Sequence, residues 1–307
     1  MNLSKTIASL LIAAVPFPAV AAVPVGDGGA IKTPPDQPEI TTAGSPGDEP
    51  DKEAEYVYIS DIRGLIPIER QAEISLHFGI DYSGGDYGDF DRTELFYVPL
   101  SVKYAKGPWS FRATSGYITL SGPNSIIPGA GVAAQSDFVN DSRTGDGDSG
   151  IGDLYLSGTY SVENLEQQNI YLDLTARVKL PTGNRNKGLS TGKTDVSFQL
   201  DVARLYGDVL PFATIGYRFV GKSARFNLQN TWYASLGFSY YRTERLSLGM
   251  SYDFRKSATI DAVNPRELQI FADYQISEDW AVYLYGAAGL SDGSPDQAAG
   301  FHFRYSF

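Results

Sequence analysis

The chain has 307 residues, with 36 acidic and 25 basic side chains, a net charge of −11, no cysteine and a mean hydropathy of −0.20. The lack of cysteine excludes disulfides, thiolate metal sites and a cysteine nucleophile, and the acidic balance argues against nucleic acid as a partner. No window holds the roughly 18 apolar residues of a spanning helix, but a transmembrane β-barrel would have this hydropathy because half of each strand faces a polar interior.

Residues 1–22 have the pattern of a secretory signal peptide. Lys5 precedes an apolar run over residues 7–15, and residues 19–21 form an A-x-A cleavage site. The alternative is a membrane anchor, which the short, proline-interrupted apolar core opposes. We therefore expect export from the cytoplasm.

Residues 23–69 are rich in Pro, Gly, Asp and Glu and have almost no aromatic side chains before Tyr56. This composition predicts a periplasmic tail that is largely disordered. A plug inside a barrel is the alternative for the more apolar stretch from Tyr56 to Pro67.

Residues 70–307 alternate between apolar and polar side chains, which predicts antiparallel strands. Twelve segments follow this period: Glu73–Tyr82, Phe96–Tyr104, Trp109–Thr114, Asp153–Tyr160, Ile170–Leu180, Val196–Val202, Ala213–Phe219, Trp232–Tyr240, Leu246–Arg255, Glu267–Gln275, Val282–Gly286 and Phe301–Phe307. A soluble β-sandwich also alternates. The uncharged apolar face, the segment lengths and the aromatic residues at segment ends instead favour strands that cross a bilayer.

The connections between these segments alternate in length. If the first strand enters from the periplasm, the longer connections lie outside: Ser83–Arg92, Ser121–Ser149, Pro181–Thr194, Gly221–Asn230, Lys256–Arg266 and Ser291–Gln297. The shorter ones lie inside, with Val162–Gln168 only matching the shortest outer connection. Short periplasmic turns, long extracellular loops and an even strand count predict an all-β, transmembrane, antiparallel up-and-down β-barrel of twelve strands.

The last strand has one aromatic face, formed by Phe301, Phe303, Tyr305 and Phe307. A terminal aromatic residue of this kind resembles the C-terminal signal of bacterial outer-membrane barrels. We therefore expect outer-membrane lipid around the barrel and recognition of this strand by the barrel assembly machinery.

Closure of the barrel must pair the last strand with the first, because an open edge is not tolerated in hydrocarbon. The polar faces then line a lumen with charges of both signs, which we expect to be mixed and wet. The predicted lining residues are Glu73, His77, Lys103, Arg112, Asp153, Tyr155, Asp173, Arg177, Lys179, Asp201, Arg218, Asp253, Arg255, Asp273, His302 and Arg304. Twelve strands predict a narrow passage, with Ser121–Ser149 as the candidate constriction loop.

Other sites are weighed against this interpretation. His77 and His302 lie on the strands that closure makes neighbours, so they could titrate together or hold a metal. Because both face inward, they do not suit a lipase-like site on the outer wall. The acidic loops lack EF-hand spacing, and Gly192-Lys193-Thr194 lacks the spacing and the helix of a phosphate loop. We expect no enzyme activity, no cofactor and no metal.

A loop motif carries a resemblance to a known family. Gly150-Ile151-Gly152-Asp153-Leu154-Tyr155 is followed by Val178-Lys179-Leu180-Pro181-Thr182-Gly183 and by Gly188-Leu189-Ser190-Thr191-Gly192 with Thr194-Asp195. From about Gln71 to Phe307 the chain resembles the outer-membrane family labelled "Putative MetA-pathway of phenol degradation". The motif-loop residues are Pro181, Thr182, Gly183, Gly188, Thr191, Gly192 and Asp195. The resemblance implies the passage or handling of aromatic or other apolar compounds.

These observations predict an outer-membrane channel or transporter for the passive passage of small molecules, aromatic or apolar ones included. The alternative is a structural or interaction barrel that does not conduct and whose acidic tail docks a periplasmic partner. Neither the solute nor the selectivity follows from the sequence.

Overall fold

Alternating side chains favour extended backbone, and the computed structural model is built mainly from strands. It describes residues 72–87, 92–122, 148–222, 227–260 and 262–307. The predicted signal peptide (1–22) and acidic tail (23–69) lie outside the described residues, as does most of the predicted constriction loop (123–147). Within the described part of the chain, no helix has the length and hydropathy to span a membrane.

Thirteen strands make up most of the described residues. They are β1 (Glu73–Gly85), β2 (Thr93–Lys106), β3 (Trp109–Ser121), β4 (Asp148–Ile151), β5 (Leu154–Ser161), β6 (Ile170–Leu180), β7 (Asp195–Arg204), β8 (Val209–Phe219), β9 (Thr231–Tyr241), β10 (Leu246–Arg255), β11 (Arg266–Gln275), β12 (Trp280–Gly289) and β13 (Gln297–Ser306). Within the described ranges, two short 3-10 helices, Glu163–Gln168 and Arg185–Lys187, lie in the connections.

The strands form one closed ring. Neighbouring strands pair antiparallel, and β13 returns to β1 with a register from Ser75 opposite Ser306 to Gly84 opposite Gln297. Both β4 and β5 pair with β3, so together they make one crossing and the ring has twelve. The predicted twelve-stranded antiparallel barrel, closed between its first and last strands, is confirmed.

The outer wall is apolar and the inner wall is largely polar. On β8, Ile215 is 55% exposed and outward, whereas its neighbour Thr214 is 4% exposed and inward. Aromatic rings gather where strands end, as Trp280 and Tyr305 do with their ring centroids 4.8 Å apart. An apolar band with aromatic girdles is the surface of a barrel that crosses lipid.

The connections differ in length at the two ends. The short ones are 107–108, 162–169, 205–208, 242–245 and 276–279, and the long ones are 86–92, 122–147, 181–194, 220–230, 256–265 and 290–296. The predicted pattern of short periplasmic turns and long extracellular loops is confirmed. One detail was wrong: connection 162–169 is one residue longer than 86–92 and 290–296, because it winds into the 3-10 helix Glu163–Gln168 instead of turning tightly.

The fourth crossing contains a β-bulge that the sequence did not predict. Tyr117 pairs with Ile151 on β4, while Thr114 pairs with Tyr155 on β5. Three steps along β3 therefore face four along the other chain, which is one extra residue. The bulge reverses the alternation, since Ile151 is 66% exposed and outward but Asp153 is 4% exposed and inward. A four-residue strand of Asp, Ser, Gly and Ile has too little alternation to be recognised.

A charge at the middle of the outer wall should destabilise the barrel strongly. Ile215→Arg should lower the free energy of unfolding in lipid by ~2–4 kcal/mol, because an arginine at the bilayer midplane loses its hydration. Val209→Arg lies at the end of the same strand and should cost ~0–1 kcal/mol. Urea titration of protein refolded into vesicles measures both, and equal losses at the two positions would contradict a bilayer around β8.

Candidate functional site

The barrel interior holds every side chain that was predicted to line the lumen. Most of them are buried, with at most 9% of the residue exposed: His77, Lys103, Arg112, Asp153, Asp173, Lys179, Asp201, Arg218, Asp253, Arg255, Asp273, His302 and Arg304. Tyr155 and Arg177 are partly buried on the same face, and Glu73 is partly buried at the short-turn end. These residues lie on the inner side of the wall, and their role as the lining of a conducting path stays a prediction.

A buried ion cluster, here called the lysine latch, consists of Lys179, Asp153, Asp195 and Thr191. The Nζ atom of Lys179 lies 3.0 Å from Oδ2 of Asp195 and 3.5 Å from Oδ2 of Asp153. It also donates a hydrogen bond to Oγ1 of Thr191 at 2.9 Å. Lys179 is the second-last residue of β6, Asp195 is the first residue of β7, and Asp153 lies in the bulge between β4 and β5. The latch therefore joins three segments of the wall.

Backbone amides satisfy the remaining carboxylate oxygens of the latch. Oδ1 of Asp153 accepts from the N–H of Gly183, and Oδ1 of Asp195 accepts from the N–H of Gly221, both at 2.9 Å. One cation between two carboxylates leaves a formal charge of −1, which these N–H dipoles offset. The buried bulge residue is therefore part of the anchor for the motif loop.

The motif loop, residues 181–194, folds into the barrel. Gly188 and Gly192 have φ of +69° and +66°, in the left-handed region that favours glycine. Gly183 has a different constraint, because a Cβ there would lie 3.0 Å from Oδ1 of Asp153. Pro181 and Thr182 follow directly after β6, and both are exposed. Oγ1 of Thr182 donates a hydrogen bond to the carbonyl of Gly152 at 3.1 Å.

The tip of the motif loop is buried. Leu189, Ser190 and Thr191 are each 1% exposed. Leu189 belongs to an apolar cluster inside the long-loop end of the barrel, here called the upper cluster: Leu95, Tyr97, Ile118, Leu120, Leu189 and Ala298. The mixed, wet interior stays a prediction, and at this end the inner wall also carries apolar side chains.

A second apolar group, here called the aromatic wall, lines the interior on the other side. It contains Tyr171, Ala203, Leu210, Phe212, Tyr241, Phe271 and Tyr283, with Tyr285 packed against it. The ring centroids of Phe271 and Tyr283 are 5.9 Å apart, and those of Tyr283 and Tyr285 are 6.0 Å apart. Such spacings are typical of favourable aromatic pairs, so the rings form a continuous strip along the inner wall.

Glycines on neighbouring strands make room for these rings. A Cβ at Gly249 would overlap Phe271, one at Gly237 would overlap Phe212, and one at Gly300 would overlap Tyr285. The same arrangement places Tyr233 over Gly216. Each ring therefore lies flat against the backbone of the next strand instead of projecting into the interior.

The two histidines have different partners. Nε2 of His302 lies 2.6 Å from Oδ1 of Asp81, which also accepts from the hydroxyl of Tyr285 at 2.8 Å. Nε2 of His77 lies 3.1 Å from Oγ of Ser75. In the pairing of β1 with β13, His302 lies opposite Gly79 and not opposite His77. The two imidazole rings nevertheless border one cavity of about 20 Å³, which is enough for a water molecule.

Buried side-chain polar atoms that lack a hydrogen-bond partner among the described residues are most numerous on the arc from β9 round to β1, although Thr93 on β2 and Ser115 on β3 also carry one. On that arc they include Oγ of Ser239, the hydroxyl of Tyr241, Oγ of Ser247, Nε of Arg255, Oε1 of Gln269, Nε of Arg304, Oγ of Ser306 and Oδ2 of Asp81. By contrast, Asp201 on β7 accepts hydrogen bonds from Gln199 at 2.8 Å and Thr214 at 2.6 Å. Buried polar atoms are normally hydrogen-bonded, so water or solute is expected beside the atoms of the β9-to-β1 arc.

The terminal aromatic residues lie on the outer face of β13 and just beyond it. Phe301 is 38% exposed and Phe307 is 71% exposed. Ring centroids are 4.6 Å apart for Phe301 and Phe303 and 4.8 Å apart for Tyr305 and Phe307. Trp280 of β12 connects the two pairs, with its ring centroid 6.3 Å from that of Phe303 and 4.8 Å from that of Tyr305. The strip is therefore continuous through Trp280 and open to lipid or to a protein partner.

Metal ligation finds little support in the described residues, which contain no group of three His, Cys, Asp or Glu side chains placed to hold an ion. The acidic segment 88–91 and residues 145–147 lie outside the described residues. The expectations of no metal and no cofactor remain expectations.

Sequence reasoning missed the inward apolar residues Leu95, Ile118, Leu120 and Leu189. One signal was present: Leu189 is the single large apolar residue between Gly183 and Asp195. An apolar side chain in such a polar loop needs a place to be buried.

Comparison with solved structures finds barrels of low sequence similarity. The "KdgM porin" has a TM-score of 0.48 at 7% identity, covering 76% of this chain and 99% of that chain. The P. putida toluene transporter TodX has 0.37 at 12%, covering 79% and 89%, and the "CymD monoaromatic hydrocarbon channel" has 0.39 at 12%, covering 78% and 89%. A comparison with curated protein sequences finds no match.

A family profile matches residues 109–307. The match begins at the first residue of β3, so β1 and β2 lie outside it, whereas the resemblance was expected from Gln71 onward. It includes the bulge, the lysine latch, the motif loop and the terminal strand. The chain therefore belongs to the family described as "Putative MetA-pathway of phenol degradation".

Proposed function

We propose that the protein is a passive channel of the bacterial outer membrane for small molecules, aromatic or apolar ones included. In this proposal the chain reaches the membrane after signal-peptide-dependent export, and the apolar outer wall meets lipid. Catalysis has no part in it, since both histidines face inward, away from a substrate in the membrane. The closed barrel with an apolar exterior supports the membrane location.

The observation that carries the proposal is the set of polar atoms from β9 to β1 that lack a hydrogen-bond partner within the described part of the chain. Those atoms are distributed from Ser247, at the short-turn end, to Arg255, at the long-loop end of the same strand. A buried polar atom without a partner costs free energy unless water or a solute satisfies it. A narrow wet path along this arc explains why so many are tolerated.

The aromatic wall gives the path an apolar surface beside its polar atoms. Phe271, Tyr283 and Tyr285 lie on strands within the same arc. The hydroxyl of Tyr283 accepts from Gln269 and that of Tyr285 donates to Asp81, two residues that carry unpartnered atoms. A small molecule with a ring and a polar group can contact both at once. The family description, which names phenol degradation, agrees with an aromatic solute.

We also propose that the barrel assembly machinery recognises the terminal strand through Phe301, Phe303, Tyr305 and Phe307. Their outward, continuous ring contacts support a surface that another protein can bind before lipid covers it. Recognition would precede closure, since β13 pairs with β1 only in the finished ring.

Conductance in planar bilayers tests the channel. Protein lacking residues 1–22 and refolded in detergent should give single-channel steps, and heat-modifiable migration on gels confirms that the sample is folded. If folded protein gives no steps in any lipid and no solute flux into vesicles, the non-conducting barrel with a partner-docking tail is favoured instead.

The aromatic wall is tested by Tyr283→Ala. We expect the preference for an aromatic over a non-aromatic solute of equal size to fall about two- to tenfold, since one ring contact contributes ~0.5–1.5 kcal/mol. Tyr274→Ala is the matched control, because Tyr274 is 43% exposed on the outer face of β11. Flux into vesicles measures both variants, and an unchanged preference in Tyr283→Ala would remove the wall from the path.

A further inference from the structure

The motif loop carries a large apolar side chain into the barrel. Leu189 lies in the connection between β6 and β7, and its side chain is buried in the upper cluster at 1% exposure. Its cluster partners Leu95 and Ile118 lie on β2 and β3, beyond the bulged fourth crossing. The loop must therefore extend over that crossing, inside the ring, to bring Leu189 to the far strands.

The fourth crossing is shaped to let this leucine pass. A Cβ at Gly150 would lie 3.1 Å from Cδ1 of Leu189, tighter than most real contacts of that kind. Glycine at this position leaves the space that the leucine occupies. The strand beside the loop thus accommodates the inward position of Leu189.

The lysine latch prevents the loop from swinging outward. Lys179 binds Thr191, two residues after Leu189, while Asp153 holds Gly183 on the other side of the tip. Moving the tip out of the barrel would break the hydrogen bond from Lys179, which is 3% exposed, to Thr191, and it would strain the hydrogen bond from Gly183 to Asp153. Because a buried polar group that loses its hydrogen-bond partner costs free energy, these bonds hold the loop inside the barrel.

We infer that Leu189 sets the narrowest width of the channel at its long-loop end and that the lysine latch holds it there. This inference rests on the proposed function. It assigns the constriction to residues 181–194, whereas the sequence suggested Ser121–Ser149. Solutes would be selected by size at Leu189 before they reach the aromatic wall.

Truncation of Leu189 is the first test. Leu189→Ala should raise single-channel conductance about twofold or more and admit larger sugars in vesicle-swelling assays, because passage depends on the pore diameter at its narrowest point. Leu290→Ala is the control, since Leu290 is 54% exposed in another long loop. Conductance of Leu189→Ala equal to that of the unmodified protein would overturn the inference.

A cysteine variant gives a second test, which measures whether a reagent in the passage reaches position 189. The chain has no cysteine, so a charged methanethiosulfonate reagent can modify only the introduced thiol. In Leu189→Cys the reagent should block current, whereas in Leu290→Cys it should label the thiol and leave current unchanged. Absence of block at position 189 would place Leu189 off the path and overturn the inference.

The two proposals fail in different ways. If the unmodified chain and all variants lack both steps and flux, the proposed function fails and the inference with it. If the unmodified chain conducts and the Leu189 variants behave identically to it, only the inference fails. If the unmodified chain is closed and Leu189→Ala conducts, the position of Leu189 as the narrowest point is supported and the passive channel is not.

Discussion

Deletion of Gly300–Phe307 should abolish the folded barrel. β13 pairs along its length with β12 on one side and β1 on the other, so its loss leaves two strand edges with unpaired backbone groups. Each unpaired group in hydrocarbon costs several kcal/mol, and no open sheet is stable there. The expected result is complete loss of heat-modifiable migration after refolding into lipid vesicles.

Phe307→Ala separates closure from recognition. Phe307 is 71% exposed and its backbone N–H still donates to the carbonyl of Ile74 at 2.9 Å, so the variant should refold in pure lipid. In cells we expect it to accumulate less in the outer membrane if the assembly machinery recognises the terminal ring.

Refolding of the Gly300–Phe307 deletion to a heat-modifiable form would contradict closure through β13.

Lys179→Met should destabilise the barrel by ~3–5 kcal/mol, the usual cost of leaving buried charges without their partner. The substitution keeps the side-chain length but removes the cation between Asp153 and Asp195, whose side chains are both 2% exposed. Those two carboxylates would then repel each other in the interior. Urea unfolding in vesicles, followed by tryptophan fluorescence, measures the loss.

Two further variants show whether the loss comes from charge. Lys187→Met lies in the same loop but is exposed, and it should change stability by ~0–1 kcal/mol. Combining Lys179→Met with Asp153→Asn and Asp195→Asn removes the net charge and should recover part of the stability. A triple variant as unstable as Lys179→Met alone would show that packing, not charge, dominates.

The sequence alone predicted the strands well where alternation was long. The fifth predicted segment, Ile170–Leu180, matches β6 at both ends. On such a strand, the alternation of apolar and polar residues predicts the face on which each side chain lies. The alternation of short and long connections then predicts which end of the barrel faces the periplasm. Closure followed from the rule that lipid tolerates no free edge.

The interior was less predictable because alternation says which way a side chain points but not what it meets. The motif loop was recognised, and Lys179, Asp153 and Asp195 were each named, yet their meeting depends on a bulge that β4 and β5 create together. Leu189 was overlooked, since its burial depends on β2 and β3, about 70 to 95 residues earlier. Contacts across a barrel leave no periodic signal in the chain.

The glycines under the aromatic wall have a consequence for what can cross the membrane. Gly237, Gly249 and Gly300 are covered by rings from adjacent strands, so a solute would touch the rings and never the glycines. Adding even a methyl group at one of them would lift the ring inward and reduce the bore. Residues that no permeant ever meets would then decide how large a permeant can be.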